Sequence, residues 1–183
     1  MVRALAPSPS RPAGCVKLVA NLPYQVATPL LMNLLVDYPQ VRRFCFTVQS
    51  EVGERLTAEP NRKAYGPLGI VTQLLGSVQT IARIGPAAFW PRPAVDSVML
   101  RLHVGPAPFS DRDELRRFVA LVRSTFEHRR KTLRGALSYV KSGDALARVC
   151  DCFDVKRRPE SLCIDEWVAL FHTLEQGSPG KPG

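Results

Sequence analysis

The sequence predicts an α/β sheet of about four strands followed by a small all-helical unit. Two observations carry that reading. Apolar and β-branched runs of strand length alternate with helical patterns up to Val104, and the last two runs nearly follow one another, which places an antiparallel hairpin at one edge of the sheet. Beyond Gly105-Pro106-Ala107-Pro108, a linker by composition, every apolar pattern has the helical period.

Residues 1–14 are rich in Pro and Ser without periodicity, so a disordered lead-in is expected; lacking an apolar segment, they do not read as a signal peptide. Lys17–Ala20 reads as a buried strand. Thr28 is placed as an N-cap with Pro29 at the first helical position, opening a helix through Leu30, Leu31, Leu34 and Leu35 that Pro39 stops. Phe44–Gln49, dense in aromatic and β-branched residues, is a second strand, and Ser50 is placed as the cap of a short helix ending near Ala58. A loop, Glu59–Gly66, carries Arg62 and Lys63, and a helix follows from about Leu68 to Leu75. Val78–Ile84 and Val98–Val104 are the remaining strands, separated by the loop Phe89–Ser97, which Pro91 and Pro93 stiffen. In the helical unit, Ser110 with Asp113 resembles a capping box ahead of Leu115, Phe118, Val119, Val122 and Phe126. Leu133, Ala136, Leu137 and Val140 mark a second helix, Gly143 a break, and a short helix reaches about Phe153. Asp165 is placed as the cap of a last helix bearing Trp167, Val168, Leu170 and Phe171. The expected organisation is a lead-in (1–14), a sheet domain (15–104), a helical domain (105–176) and a flexible tail (177–183).

A chain of 183 residues with 45% hydrophobic content can bury a substantial core, and no apolar run has the length of a membrane-spanning helix. The formal charge of +9 favours an acidic partner, nucleic acid before membrane surface, although charge alone fits a merely basic protein equally well. The first 104 residues hold 11 Lys and Arg against 5 Asp and Glu, and the rest hold 14 against 11, so any interest of the helical unit lies in charge placement. Cys15, Cys45, Cys150, Cys152 and Cys163 form an odd, scattered set that fits reduced thiols in a cytoplasmic protein. Cys150-x-Cys152 lacks the further ligands of a metal site, so no metal is expected.

Three stretches can carry chemistry. Asn21-Leu22-Pro23-Tyr24 follows the first strand, where loop residues of an open α/β sheet face the ligand crevice. An amide, carbonyls beside a proline that cannot donate, and an aromatic ring suit a planar amine such as adenine; a loop that simply turns the chain is the plain alternative. Phe89-Trp90-Pro91-x-Pro93 sets an aromatic pair in a stiff loop, fit either to close over a base or to pack in the core. In Phe126–Arg134, helical spacing would gather Arg130, Lys131, Arg134 and Lys141 on one flank, opposite Leu133, Ala136, Leu137 and Val140. That arrangement suits phosphate contacts or, more simply, a solvated face.

With these stretches, Lys17 to Leu174 resembles the small-subunit ribosomal RNA adenine N6,N6-dimethyltransferase family. Asn21–Tyr24 is similar to its adenine motif. Val48-Gln49-x-Glu51-Val52-x-x-Arg55-Leu56, Ala64-Tyr65-Gly66-x-Leu68, Phe89-x-Pro91-x-Pro93-x-Val95-Asp96-Ser97, Phe126-x-x-Arg129-Arg130-Lys131-Thr132-Leu133-Arg134 and Arg158-Pro159-Glu160 resemble further blocks in family order. Antibiotic-resistance methyltransferases of large-subunit rRNA share the first motif, but the basic block resembles the small-subunit branch. The resemblance implies the C-terminal half of a Rossmann-like methyltransferase sheet followed by a small all-α domain. It also implies S-adenosyl-L-methionine as cofactor and dimethylation of adjacent adenines in rRNA of a small-subunit precursor, by a cytoplasmic monomer. The target adenine would be flipped from its helix and stacked by Tyr24, with Phe89 on the far side. Asn21 and the carbonyl of Leu22 or Pro23 would accept from its N6, Asn21 would also touch the cofactor, and Arg129, Arg130, Lys131, Arg134 and Lys141 would bind RNA.

The family pattern also has a Gly-rich turn for the cofactor's amino-acid end and an acidic residue for its ribose. Before Asn21 this sequence has neither a G-x-G nor any Asp or Glu. The chain is therefore expected to start about a hundred residues late, to leave its first strand as an exposed sheet edge, and to be inactive alone. A non-catalytic rRNA-binding or ribosome-assembly factor is the alternative.

Overall fold

A computed structural model describes residues 16–23, 26–141 and 143–176. The expected lead-in (1–14), the tail (177–183) and Tyr24 lie outside the described residues.

Four strands, β1 (Val16–Asn21), β2 (Val41–Gln49), β3 (Gly76–Ile84) and β4 (Ser97–Val104), form one sheet in the order β1-β2-β4-β3. β1 runs parallel to β2, joined through helix α1 (Ala27–Asp37), whereas β4 is antiparallel to both β2 and β3. The last two strands thus form the expected antiparallel pair, with β3 at the edge. Alternation along each strand sorts the side chains. Leu18, Phe44 and Leu102 share one row, Phe46 and Leu100 a second and Val48 and Val98 a third, all buried on one face. Helices α1, α2 (Ser50–Thr57) and α3 (Pro67–Leu75) cover that face.

The opposite face is open among the described residues: Lys17, Arg43 and His103 share a row, and Val19, Cys45 and Arg101 the next. The apolar run of β1 reads as a buried strand by composition, yet the strand stands at the sheet edge, as its missing partner strand led us to expect, with Leu18 in the core and Val19 68% exposed.

The helical unit consists of α4 (Arg112–Glu127), α5 (Leu133–Leu137), α6 (Asp144–Cys152) and α7 (Ile164–Glu175). α4 rests on α1 and α3, so Phe118, Val122, Phe126, Trp167 and Phe171 belong to the same hydrophobic core as the covered face of the sheet. Tyr65 fastens the two units: its ring is buried edge-on to Phe126, and its hydroxyl donates to the Leu162 carbonyl at 2.7 Å. Burial, followed by the nearby Cys163, pushes the Tyr65 phenol well above its ordinary range. At the rim, Arg116 donates to the Asp37 carboxylate at 2.7 Å and Arg112 to the Asp37 carbonyl at 2.6 Å.

Most helix starts differ from expectation by a residue or two. The residue before α1 is Val26, with Thr28 and Pro29 inside the first turn; Gln49, not Ser50, precedes α2. Asp111 rather than Ser110 caps α4, accepting the Glu114 N–H at 2.7 Å, while Glu114 returns to the Ser110 N–H at 2.7 Å. Cys163 rather than Asp165 precedes α7, and its N–H donates to Glu166 at 2.8 Å. At α2 and α4 two polar residues stand side by side, and the tertiary position of the helix decides between them.

Two glycines set the depth to which α2 and α3 sink. A Cβ on Gly69 would stand 2.3 Å from the Arg55 backbone carbonyl, whereas one on Gly53 would meet the Val98 side chain at 2.4 Å. Helical backbone yields far less readily than a valine, which can rotate. Gly69→Ala should therefore cost about 1–3 kcal/mol, lowering Tm by roughly 2–4 °C per kcal/mol, and Gly53→Ala should cost less. Thermal unfolding of both variants followed by circular dichroism checks this, and equal losses would contradict the assigned contacts.

Candidate functional site

β1 ends at Asn21, paired with Thr47, and the Leu22 N–H extends the ladder by donating to the Thr47 carbonyl at 3.0 Å. The Leu22 side chain is buried, which pins the strand end, while Asn21 and Pro23 on either side are exposed. The Pro23 carbonyl accepts the N–H groups of Val26 (3.2 Å) and Ala27 (3.1 Å), so it is committed to opening α1. Of the two carbonyls expected to meet an amine, this one is taken.

The second stretch comes from the far side of the chain. A 3-10 turn, Pro86–Ala88, leads into Phe89, whose N–H donates to the Pro86 carbonyl at 3.2 Å; the Trp90–Pro91 peptide is cis. The loop is tied down at its end, where the Asp96 carbonyl accepts the Ser50 N–H at 3.0 Å at the start of α2. Asn21, Leu22 and Pro23 line one recess of about 410 Å³ together with Phe89, Trp90, Pro91, Arg92 and Pro93. Phe89 is half-buried there, and Trp90 is 97% exposed.

S-adenosyl-L-methionine needs partners for a ribose and an amino-acid end. The recess carries one amide, one cation and no acidic side chain, and the described residues before Asn21 contain no glycine or carboxylate. These residues offer acceptors and aromatic surface to a planar amine and do not by themselves fit the cofactor. Among the described residues no cluster of His, Cys, Asp and Glu could hold a metal ion, and no helix is long and apolar enough to cross a membrane.

The basic stretch does not form one helical flank. α4 stops at Glu127, and residues 128–131 turn, with Arg129 N–H donating to Phe126 and Lys131 N–H to His128. Thr132 then caps the short α5 by accepting from Gly135 at 3.3 Å. Arg130 and Lys131 therefore lie in the turn, Arg134 in α5 and Lys141 beyond it.

Their surroundings differ as well. Arg129 is bound to Glu160 at 2.6 and 3.0 Å and faces the Lys63 carbonyl, and Lys141 is 3.4 Å from Glu175. The Lys131 ammonium touches the Tyr139 hydroxyl and lies 4.4 Å from its ring centre, and the same ring stacks on His128 at 3.9 Å. Arg130 and Arg134 are exposed, without an ion-pair partner among the described residues. Sequence reasoning passed over His128 and Tyr139. The break at Thr132 is what returns Tyr139 to His128, and a Thr directly before an apolar run was the available signal for it.

Behind this turn stands the Arg157–Glu166 pair, with contacts of 2.5 and 3.1 Å; Arg157 also holds the Ser161 carbonyl at 2.6 Å. Hydrogen bonds from Arg157 hold the Glu166 carboxyl below its usual range, outweighing the opposing effect of partial burial, and the Cys163 N–H adds to the shift. A carboxyl depressed in the folded state contributes stability above its unfolded pKa and loses that contribution as pH falls through the folded value. Both side chains are about one-third exposed, which limits the pair to about 1 kcal/mol. Glu166→Gln should thus lower stability by about that amount at neutral pH. The difference from the parent should shrink as pH falls below the usual glutamate range; urea titrations at neutral and acid pH check it, and a gap that widens on acidification would refute the assignment.

Residues 11–176 match the sequence profile of a family described as Ribosomal RNA adenine dimethylase. Proteins named Ribosomal RNA small subunit methyltransferase A are similar: that of Bacillus cytotoxicus is 40% identical over 166 residues, covering 87% of this chain and 57% of the relative. The Bacillus mycoides protein is 39% identical with the same coverage, so the chain spans 57% of the length of these relatives. Among solved structures, a dimethyladenosine transferase from Plasmodium falciparum superposes with a TM-score of 0.75 at 22% identity, covering 87% of this chain and 66% of that one. The 23S rRNA methyltransferase ErmE superposes with a TM-score of 0.65 at 20% identity, covering 91% and 68%. At those identities the two structures speak to the fold.

Proposed function

Because this chain belongs to the ribosomal RNA adenine dimethylase family, we propose that it holds the acceptor adenine for N6 dimethylation in small-subunit rRNA. The observation that carries this reading is the meeting of Asn21–Pro23 with Phe89 in one recess, although they lie far apart in sequence. The family's enzymes are S-adenosyl-L-methionine-dependent methyltransferases, and that cofactor supplies the methyl group when bound.

Asn21 Oδ1 and the Leu22 carbonyl accept the two N6–H bonds, since the Pro23 carbonyl is occupied by α1. Two acceptors fix the amine with its lone pair directed out of the base plane. Phe89 packs against one ring face and Tyr24 against the other. The work is positioning in a preset field, with no strong general base. Once the amine carries one methyl group, a single acceptor still orients it for the second round. Arg130 and Arg134, with Lys131 beside them, take phosphates; Arg129 and Lys141 contribute through the frame that holds this surface. On this reading the chain works as a monomer in the cytoplasm on a small-subunit precursor.

The recess lacks a carboxylate for a ribose, and for that reason we propose that the 183-residue chain alone binds rRNA without methylating it. That property would also suit a ribosome-assembly factor. Incubating the chain with methyl-labelled cofactor and undermodified small subunits should leave adenine unlabelled; robust transfer would sink the inactivity proposal. Replacing Arg130, Lys131 and Arg134 together by Ala should weaken small-subunit rRNA binding by about tenfold or more and flatten its salt dependence by up to about two to three units of slope. Unchanged binding would remove the basic turn from the RNA-contacting surface.

A further inference from the structure

Trp90 is 97% exposed, the most exposed of the large hydrophobic residues described, while Trp167, the other tryptophan, is fully buried. A surface loop would ordinarily be expected to fold such a ring back against the protein. Here it stands clear of the protein on a stiff backbone. Pro91 and Pro93 restrict the backbone, the Ala88 and Phe89 N–H groups close the preceding turn on Gly85 and Pro86, and Asp96 is fastened to Ser50. A ring on a stiff mount loses little conformational freedom when something stacks on it.

Its surroundings indicate what that partner is. Trp90 lines the recess that holds Asn21, Leu22 and Pro23, so it stands beside the group gripped there. Arg92, two residues on, is exposed and lines the same recess, which contains no acid. The neighbouring recess, behind the loop, carries Glu51 and Asp96 and disfavours a phosphate chain on that side. An exposed indole with an adjacent guanidinium is the pairing that binds single-stranded nucleic acid: the ring takes a base face, the cation the backbone.

We propose that Trp90 is a stacking platform for an unpaired nucleobase next to the adenine held at Asn21, with Arg92 contacting the phosphate that joins the two. This rests on the adenine reading above. Any base has a π-face, so the platform tolerates sequence but favours purines through their larger ring area. Phe89 and Trp90 thereby divide the work: the half-buried ring faces the target base and the exposed ring its neighbour.

The test uses the full chain and short single-stranded RNAs containing two adjacent adenines, with intrinsic fluorescence as the readout. Trp90 supplies the red-edge emission and Trp167, being buried, a background that an aqueous quencher does not reach. Saturable quenching of the red edge by RNA is expected. Trp90→Ala should weaken binding about 5- to 100-fold, and Trp90→Phe should restore most of it. An RNA abasic at the flanking position should bind the parent as weakly as Trp90→Ala does, with no further loss when the two changes are combined.

Equal affinity of parent and Trp90→Ala, or a red edge that iodide cannot quench in the free protein, would overturn the proposal. Asn21→Ala and an RNA abasic at the target position test the underlying reading separately. If neither weakens binding while Trp90→Ala does, the adenine assignment fails and the flanking-base proposal fails with it, leaving an RNA contact of another kind. If both weaken binding and Trp90→Ala does not, only the Trp90 proposal falls.

Discussion

The antiparallel insertion of β4 beside β2 is the constraint on which the site depends. Gln49, the last residue of β2, pairs with Ser97, the first of β4. Because β4 begins where β2 ends, whatever precedes β4 must arrive at the carboxyl end of β2. The parallel pairing of β1 with β2 brings Asn21 to Thr47, at that same end. Phe89 and Asn21 meet because of these two registers, with no direct bond between their loops required. A one-residue slip in either ladder would also reverse which side chains face the core, so packing of Phe44, Phe46, Val48, Val98 and Leu100 holds the site as firmly as it holds the sheet.

The helical unit is secured to this frame from within and from the rim. Tyr65 reaches through the core to the Leu162 carbonyl, and Phe126 packs between Tyr65 and Trp167. Ion pairs at the rim are partly exposed and add little each, yet they determine placement. Arg129 to Glu160 ties the turn after α4 to the segment before α7, and Arg157 to Glu166 sets that segment in turn. The cations that resemble one another in the sequence therefore divide by position: Arg129 faces inward to a carboxylate, and Arg130 and Arg134 face water.

Periodicity and composition were sufficient for the strands, their order of appearance and the change to helices after Val104, because each depends on residues close in sequence. The Asn21–Pro23 segment was legible as a loop after the first strand, but Asn21 and Phe89 are brought to one recess by strand registers that no local pattern encodes. The helix starts failed by a residue or two where polar neighbours compete, as with Ser110 and Asp111. The basic stretch failed for a different reason. Extending the helical period through residues 128–131 ignored Thr132, a good cap set before Leu133, and the partner that engages Arg129 lies 31 residues away at Glu160. For β1 the apolar run alone fits a fully buried strand and a two-sided edge strand alike; the expectation of an edge came from the family pattern of strands that this sequence lacks.

Charge and aromatic surface have separate tasks on such a molecule. Phosphate contacts of the kind proposed for Arg130 and Arg134 would raise affinity for any RNA and weaken with salt, since such contacts act by releasing counterions. They cannot place one base among its neighbours. Placement requires groups with direction, and those lie at the other end of the molecule's logic: an amide at a strand end whose ladder continues through Leu22, and two aromatic rings on a loop anchored at both ends. A flipped base must be caught while its helix is locally open, and each residue of RNA that stays mobile during that interval dilutes the productive geometry. Holding the adjacent nucleotide on Trp90 would reduce the mobility of the adenine through the chain itself, without another contact to the reacting nitrogen. The stiffness of the Pro91–Pro93 segment then has a purpose that the sheet alone would not require.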